Sequence, residues 1–304
     1  MRHVLVTGGS GLVGKAIVYR LLAANCRVTV VSRRALSIEH PRLEWQAGDL
    51  AAETDTLWNA LPQVDDVVHA AATITDAGDP AALAALTATN IRASERLFDW
   101  CTRNKPQRVV YLGSLSVLAR PLRVPINETH AVGPTSPYAM SKLWGEAALA
   151  RQAKVGGFAP IVLRISSPLP KTLADAPRTV VRKWIEAAAR GEPLKVFGSG
   201  SRTQDFVACS DVAEAVWRAL ESDDVRGIYH IGSGTPLGML ALARTIAAFR
   251  DTPVELTGTD PAEADRWLLA LDRARRELGY VPEFTGQQAI KRLAASALSS
   301  EAGR

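Results

Sequence analysis

Near the middle of the chain, Ser136 to Lys142 read SPYAMSK. A Tyr and a Lys four residues apart lie on one helix face, close enough to touch a shared ligand. A free phenol titrates near about 10, too high for an efficient base at neutral pH. An ammonium at ~4 Å contributes roughly 4 kcal/mol at an effective dielectric of about 20, or about three pKa units before desolvation is subtracted. Tyr138 beside Lys142 is therefore a candidate for moving a proton to and from an oxygen. The bland alternative, an amphipathic pair on a packed helix, has the same spacing, so the surroundings must decide.

A second chemical stretch is TGGSGLVG, Thr7 to Gly14. It follows the apolar run HVLVTG and opens a helical pattern. Gly8, Gly11 and Gly14 allow a tight turn, close approach of a pyrophosphate and close helix–sheet packing, while the helix N-terminus offers free N–H groups. Ser10, Leu12 and Val13 complete this candidate cradle for a dinucleotide. An acidic residue is expected about 20 residues further on to bind a ribose 2′-hydroxyl. Ser32, Arg33 and Arg34 stand there instead. Two guanidiniums suit a 2′-phosphate, so NADP(H) is favoured and NAD(H) is the alternative. Asp49 and Leu50, in GDL, fall where adenine should lie. Ala70, Ala71 and Ala72, in HAAA, are small residues where the backbone passes the cofactor. His69 beside them is expected to be a satisfied core histidine.

The elements that must position these groups read as alternating strands and helices. Strands are expected at 3–8, 27–32, 43–49, 66–72, 108–114 and 160–166, with long helices at 80–104 and 137–155. Continuous apolar strands separated by helices indicate an α/β fold, a Rossmann-type doubly wound parallel sheet. Residues 1–166 are assigned to the dinucleotide-binding domain, with 205–232 returning to it. After about Ser167 prolines cluster, and 167–304 is assigned to a smaller substrate-binding lobe that ends in a frayed tail, SSEAGR.

With 304 residues, 47% hydrophobic, the chain can bury a sizeable core. It shows no apolar run of about 18 residues and no signal-peptide pattern at its start, so no membrane is expected as a partner. Three scattered cysteines, Cys26, Cys101 and Cys209, suggest reduced thiols and a cytoplasmic location. No metal site is evident. The net charge of +5 is spread thinly, which favours an anion-binding cleft over nucleic acid.

Taken in order, TGGSGLVG, GDL, HAAA, GSLSV, SPYAMSK and LRISSP resemble the extended short-chain dehydrogenase/reductase family, the group named for NAD-dependent epimerases and dehydratases. The resemblance continues through FGSGSRTQDFVACSDVAEA, YHIGSG and DRARRELGYVP. It implies a catalytic set of Ser114, Tyr138 and Lys142. Tyr138 would exchange the proton, Ser114 would hydrogen-bond the same oxygen, and Lys142 would also hold the nicotinamide ribose. Asn90 matches a family Asn and is placed among the cofactor-side residues, with its amide tied to nearby backbone. Ser166 and Ser167 are expected beside the nicotinamide carboxamide. In the resembled family the two long helices pair across a two-fold axis, which implies a homodimer.

Departures from the pattern narrow the reaction. Leu115 and Ser116 replace the acidic pair that serves the family's dehydratases, which argues against dehydration. Gln204, before DF, replaces an Arg that usually holds a nucleotide-sugar diphosphate, and ELTGTD lacks a second. Arg202, Arg178, Arg182 and Arg266 are the available substitutes. Ser114, Ser116, Arg202 and Gln204 are assigned to the side of a small-molecule substrate. The favoured reading is an NADP(H)-dependent oxidoreductase acting on a secondary alcohol or ketone of a sugar-like or small molecule. The alternatives are a nucleotide-sugar 4-epimerase or 4-ketoreductase, and a non-catalytic NADP-binding regulatory protein.

Overall fold

The protein is described by a computed structural model covering residues 1–52, 54–75, 79–222 and 224–298. The SSEAGR tail lies outside the described residues. The strands are β1 (His3–Thr7), β2 (Arg27–Ser32), β3 (Leu43–Ala47), β4 (Asp66–His69), β5 (Arg108–Ser114) and β6 (Ala159–Ile165). They are followed by β7 (Ser167–Leu169), β8 (Leu194–Phe197), β9 (Thr203–Ala208), β10 (Gly227–Ile231), β11 (Pro236–Gly238) and β12 (Val254–Thr257). The helices are α1 (Leu12–Ala23), α2 (Thr56–Ala60), α3 (Pro80–Leu86), α4 (Ala93–Asn104) and α5 (Pro137–Gly156). The second half adds α6 (Val180–Ala189), α7 (Cys209–Glu221), α8 (Met239–Ala247), α9 (Asp272–Leu278) and α10 (Gly286–Leu298).

Seven strands form one parallel sheet in the order β10-β6-β5-β4-β1-β2-β3. Valine-rich runs such as HVLVT and RVVYLG are buried on both faces, as a parallel sheet under two helix layers requires. Chain order reverses at β1, which pairs with β2 on one side and β4 on the other. The crevice at such a reversal, beyond the strand C-termini, is where these sheets bind ligands. One core joins the sheet to α1 and α7 through Ile17, Leu21, Val212 and Val216, and the other joins it to α4 and α5 through Leu97, Phe98 and Leu149.

The helix expected over 80–104 is continuous but not uniform. A π-helical segment, Thr87–Arg92, separates α3 from α4. Apolar spacing does not report a shift from i→i+4 to i→i+5 bonding, so the sequence could not show it. Helix α5 starts where SPYAMSK suggests. Ser136 caps it by accepting from the Ala139 N–H, Pro137 opens its first turn, and Gly157 ends it at φ +78°.

The second half has its own core of Leu169, Trp184, Ile185, Phe206, Leu242 and Ile290. It carries a three-stranded sheet, β11-β9-β7, and a two-stranded one, β12-β8. Residues 205–232, expected to return to the dinucleotide-binding domain, contribute to both sheets. β9 stays in the small sheet, α7 packs on α1, and β10 pairs with β6. Residues of α9, with Tyr280, also join the large core, the Tyr280 hydroxyl donating to the Gly232 carbonyl at 2.8 Å.

Candidate active site

The turn between β1 and α1 is built so that only glycine fits where it stands. Gly8 has φ +71°, and a Cβ there would lie 2.5 Å from the Ala71 nitrogen. A Cβ on Gly14 would overlap the Gly8 carbonyl oxygen. The backbone of HAAA thus runs directly against the turn, with Ala70 N–H donating to the Thr7 carbonyl. Gly11 caps α1 without a side-chain hydrogen bond, and no acidic residue occupies the helix's first turn. A Cβ on Gly11 would meet only the Gly8 oxygen, at 3.2 Å. Ser10 and Gly11 are exposed, with Leu12 and Val13 half-buried. Backbone donors and an unopposed helix dipole at an accessible turn fit the pyrophosphate of a dinucleotide.

At the end of β2, the Ser32 hydroxyl donates to the Arg34 carbonyl at 2.6 Å and accepts from the Trp45 indole at 3.1 Å. Arg33 and Arg34 are exposed, and neither guanidinium has a partner among the described residues. Asp49 accepts from Ala51 N–H, shaping the turn after β3, and Leu50 is buried behind it. These groups line the rim expected for the adenosine half. Ala72 is exposed beyond β4.

Ser114 ends β5, and Tyr138 and Lys142 rise from the first turns of α5 beside it. The Ser114 oxygen accepts from both the N–H and the hydroxyl of Ser116, at 3.2 and 2.9 Å. Burial pushes the Tyr138 phenol up to about 12, and its hydrogen bond with Ser114 opposes that rise. The expected drop caused by Lys142 is not seen. Lys142 is 3% exposed and donates to the Leu112 carbonyl at 2.9 Å. Its Nζ lies 4.8 Å from the Tyr111 ring centre and 5.9 Å from that of Tyr138. Desolvation outweighs an ammonium at that range, so Tyr138 as placed is a protonated phenol and a proton donor. Burial also lowers Lys142 to about 8, opposed by the Glu146 carboxylate.

A buried polar chain supports this corner. His69 is held between Thr7, at 2.6 Å, and Ser94, at 2.8 Å, and burial lowers it to about 3. It is a neutral core histidine, as expected. The Ser94 hydroxyl donates to the carbonyl of Asn90, inside the π segment. The Asn90 side chain accepts from Thr73 N–H at 2.7 Å and donates to the Thr73 carbonyl and the Ser141 hydroxyl, both at 2.9 Å. Its amide is fully engaged with protein, so it positions the loop after β4 against α5.

The substrate side is equally specific. Ser166 is buried with no partner for its hydroxyl among the described residues, while the Ser167 hydroxyl accepts from Gln204 at 2.7 Å. Arg202 pairs with Asp260, Arg182 with Glu186, and Arg266 donates to the Glu263 and Asp265 carbonyls. Of the four substitute arginines only Arg178 is exposed and without a partner among the described residues. Sequence reading missed Glu146 and Arg164, a buried pair beside Lys142. Glu146 continues the Tyr138–Lys142 spacing by one more turn, which was the available signal. No group of side chains suited to a metal ion occurs among the described residues, and no helix among them is long and apolar enough to cross a membrane.

Residues 4–232 match the profile of the NAD dependent epimerase/dehydratase family. The chain is 27% identical over 301 residues to a putative UDP-glucose 4-epimerase of Methanocaldococcus jannaschii, covering 95% of this chain and 96% of that protein. It is 23% identical to the dTDP-4-dehydro-6-deoxyglucose reductase of Escherichia coli, with coverage of 95% and 96%. Its fold matches the UDP-glucuronic acid 4-epimerase of Bacillus cereus, solved with UDP-glucuronic acid and NAD, at a TM-score of 0.85 and 20% identity, over 98% of this chain and 99% of that one.

Proposed function

Since the chain belongs to the NAD dependent epimerase/dehydratase family, and is thus an enzyme of the short-chain dehydrogenase/reductase type using a nicotinamide cofactor, we propose that it inverts C4 of a nucleotide sugar. The observation that carries the redox chemistry is the meeting of Ser114, Tyr138 and Lys142 at the end of β5, in the same sheet as the glycine turn after β1. Full-length similarity to a protein named as a 4-epimerase supports inversion over the one-way reduction favoured by the sequence.

When bound, an oxidised dinucleotide would take hydride from the reacting carbon and then return it. Tyr138 removes the hydroxyl proton as the alcohol becomes a ketone and returns it when the ketone is reduced on its other face. For the first step Lys142 must approach closer than the 5.9 Å to the phenol ring seen here. Ser114 steadies the reacting oxygen, and Ser116 holds Ser114. The turn at Gly8, Ser10, Gly11, Leu12, Val13 and Gly14 holds the pyrophosphate. Asp49 and Leu50 border the adenine, Ala70, Ala71 and Ala72 the adjoining backbone path, and Ser166 and Ser167 the nicotinamide.

A second reading, an NADP(H)-linked ketoreductase, is favoured by Arg33 and Arg34, unpaired among the described residues, and by Gln204 in place of an arginine. One pair of measurements separates them. UDP-glucose incubated with the enzyme and NAD should acquire the C4-inverted product, read by proton NMR. A guanidinium clamp on a 2′-phosphate, at roughly 1.5–3 kcal/mol, would make NADP bind about 10- to 100-fold tighter than NAD. No inversion with any UDP- or dTDP-sugar, together with NADPH oxidation on a carbonyl panel, replaces the first reading by the second. We also infer a homodimer across α4 and α5. Its support is the exposure of Met140, Trp144 and Val155 on α5, at 56%, 52% and 76%. A cytoplasmic location draws support from three buried, unpaired cysteines.

A further inference from the structure

Lys142 and Glu146 lie four residues apart on α5, the spacing at which a lysine and a glutamate ordinarily pair. Both are buried, at 3% and 6% exposure. The Glu146 carboxylate instead turns to β6. It accepts from Arg164 Nε at 3.0 Å and from Arg164 Nη2 at 2.7 Å, a two-pronged contact. Gly113, the register partner of Arg164 on β5, makes room, since a Cβ there would lie 3.1 Å from Glu146 Oε1. The ammonium is left with the Leu112 carbonyl and the faces of Tyr111 and Tyr138.

We propose that Glu146 and Arg164 act together as a positioning pair for Lys142: the carboxylate keeps the buried ammonium charged, and the guanidinium holds that carboxylate away so that the ammonium stays free to reach Tyr138 and a ribose hydroxyl. The proposal rests on the part assigned to Lys142 in the reaction above. Charged and titratable groups facing the ammonium come from several elements. They are Tyr138 and Glu146 on α5, Tyr111 on β5, Arg164 on β6 acting through Glu146, and His69 on β4, which burial keeps neutral. Glu146 is the carboxylate among them. Its removal should let desolvation discharge the lysine. Removal of Arg164 alone should do the opposite, because the freed carboxylate can then swing to Lys142.

The test is the titration of Lys142 itself, followed as the carbon-13 resonance of its ε-methylene in lysine-labelled full-length protein and assigned with Lys142→Arg. Glu146→Gln should lower the midpoint, and Arg164→Gln should raise it, each by about one pH unit. Glu146→Asp should restore the wild-type midpoint to within about half a unit. The double variant Glu146→Gln/Arg164→Gln should follow Glu146→Gln, and it keeps the test open if Arg164→Gln does not fold, because it buries no lone carboxylate. Dinucleotide affinity should fall in Arg164→Gln as the ammonium is captured. Shifts of the same sign in the two single variants, or none beyond about 0.3 units, overturn the proposal. A wild-type enzyme that fails to invert any nucleotide sugar would overturn the assigned reaction, yet leave these titrations readable.

Discussion

At the scale of single residues, the site turns on the balance of burial against charge at one phenol. Tyr138 stands at about 12 because its ionised form would be poorly solvated. A base in that state is idle at neutral pH, but an acid is ready, and the Ser114 hydroxyl is in place to share the proton. Tyr138→Phe keeps the ring beside Lys142 and removes only the group that moves protons. Turnover should fall about 10²- to 10⁴-fold, the usual worth of general acid–base catalysis, while dinucleotide affinity changes less than about twofold. Steady-state kinetics and a binding titration check this. A variant retaining more than about a tenth of wild-type turnover would remove Tyr138 from the reaction.

At the scale of elements, the approach of α1 to β1 sets the cofactor end. A methyl group on Gly14 strikes the Gly8 carbonyl, which is backbone and cannot rotate away. Gly14→Ala should lower stability by about 1–3 kcal/mol and weaken dinucleotide binding at least about tenfold as α1 shifts. Gly157→Ala is the contrasting case. Its φ is +78°, but an added Cβ would meet no described atom within 4 Å beyond its chain neighbours, so strain should cost about 1 kcal/mol with no change in cofactor affinity. Denaturant melts and binding titrations on both variants separate contact from strain. The same distinction explains what could be read in advance. The strands Arg27–Ser32 and Arg108–Ser114 are legible to the residue because apolar β-branched runs end at turn residues. The glycine turn and the YxxxK pair are legible because their chemistry depends on close spacing. The π segment at Asn90, the splitting of 205–232 between two sheets and the Glu146–Arg164 pair depend on partners far along the chain. No local pattern encodes those partners, and the tertiary structure brings them together.

At the scale of the whole molecule, buried neutral histidines tie stability to pH. Burial lowers His230 from 6.5 to about 4 and His69 to about 3. A group whose pKa falls on folding contributes stability that is present above its unfolded pKa, near 6.5, and is lost as pH drops toward its folded value. Each such histidine therefore costs about 1.4 kcal/mol for every pH unit below about 6.5. Asp66, raised to about 6 by burial, acts in the opposite sense, since protonating it on acidification relieves its desolvation. The total slope mixes these signs, so a difference between two proteins is the sharper measurement. His230 donates one ring nitrogen to the Ile126 carbonyl at 3.0 Å and has no partner for Nε2 among the described residues. Asparagine can reproduce the one bond without the titrating ring. Between pH 6.5 and 5, urea unfolding should show the wild type losing about 2 kcal/mol more than His230→Asn, one histidine's share of the linkage. Equal losses in the two proteins would mean that His230 takes up its proton as readily folded as unfolded, against its full burial on β10.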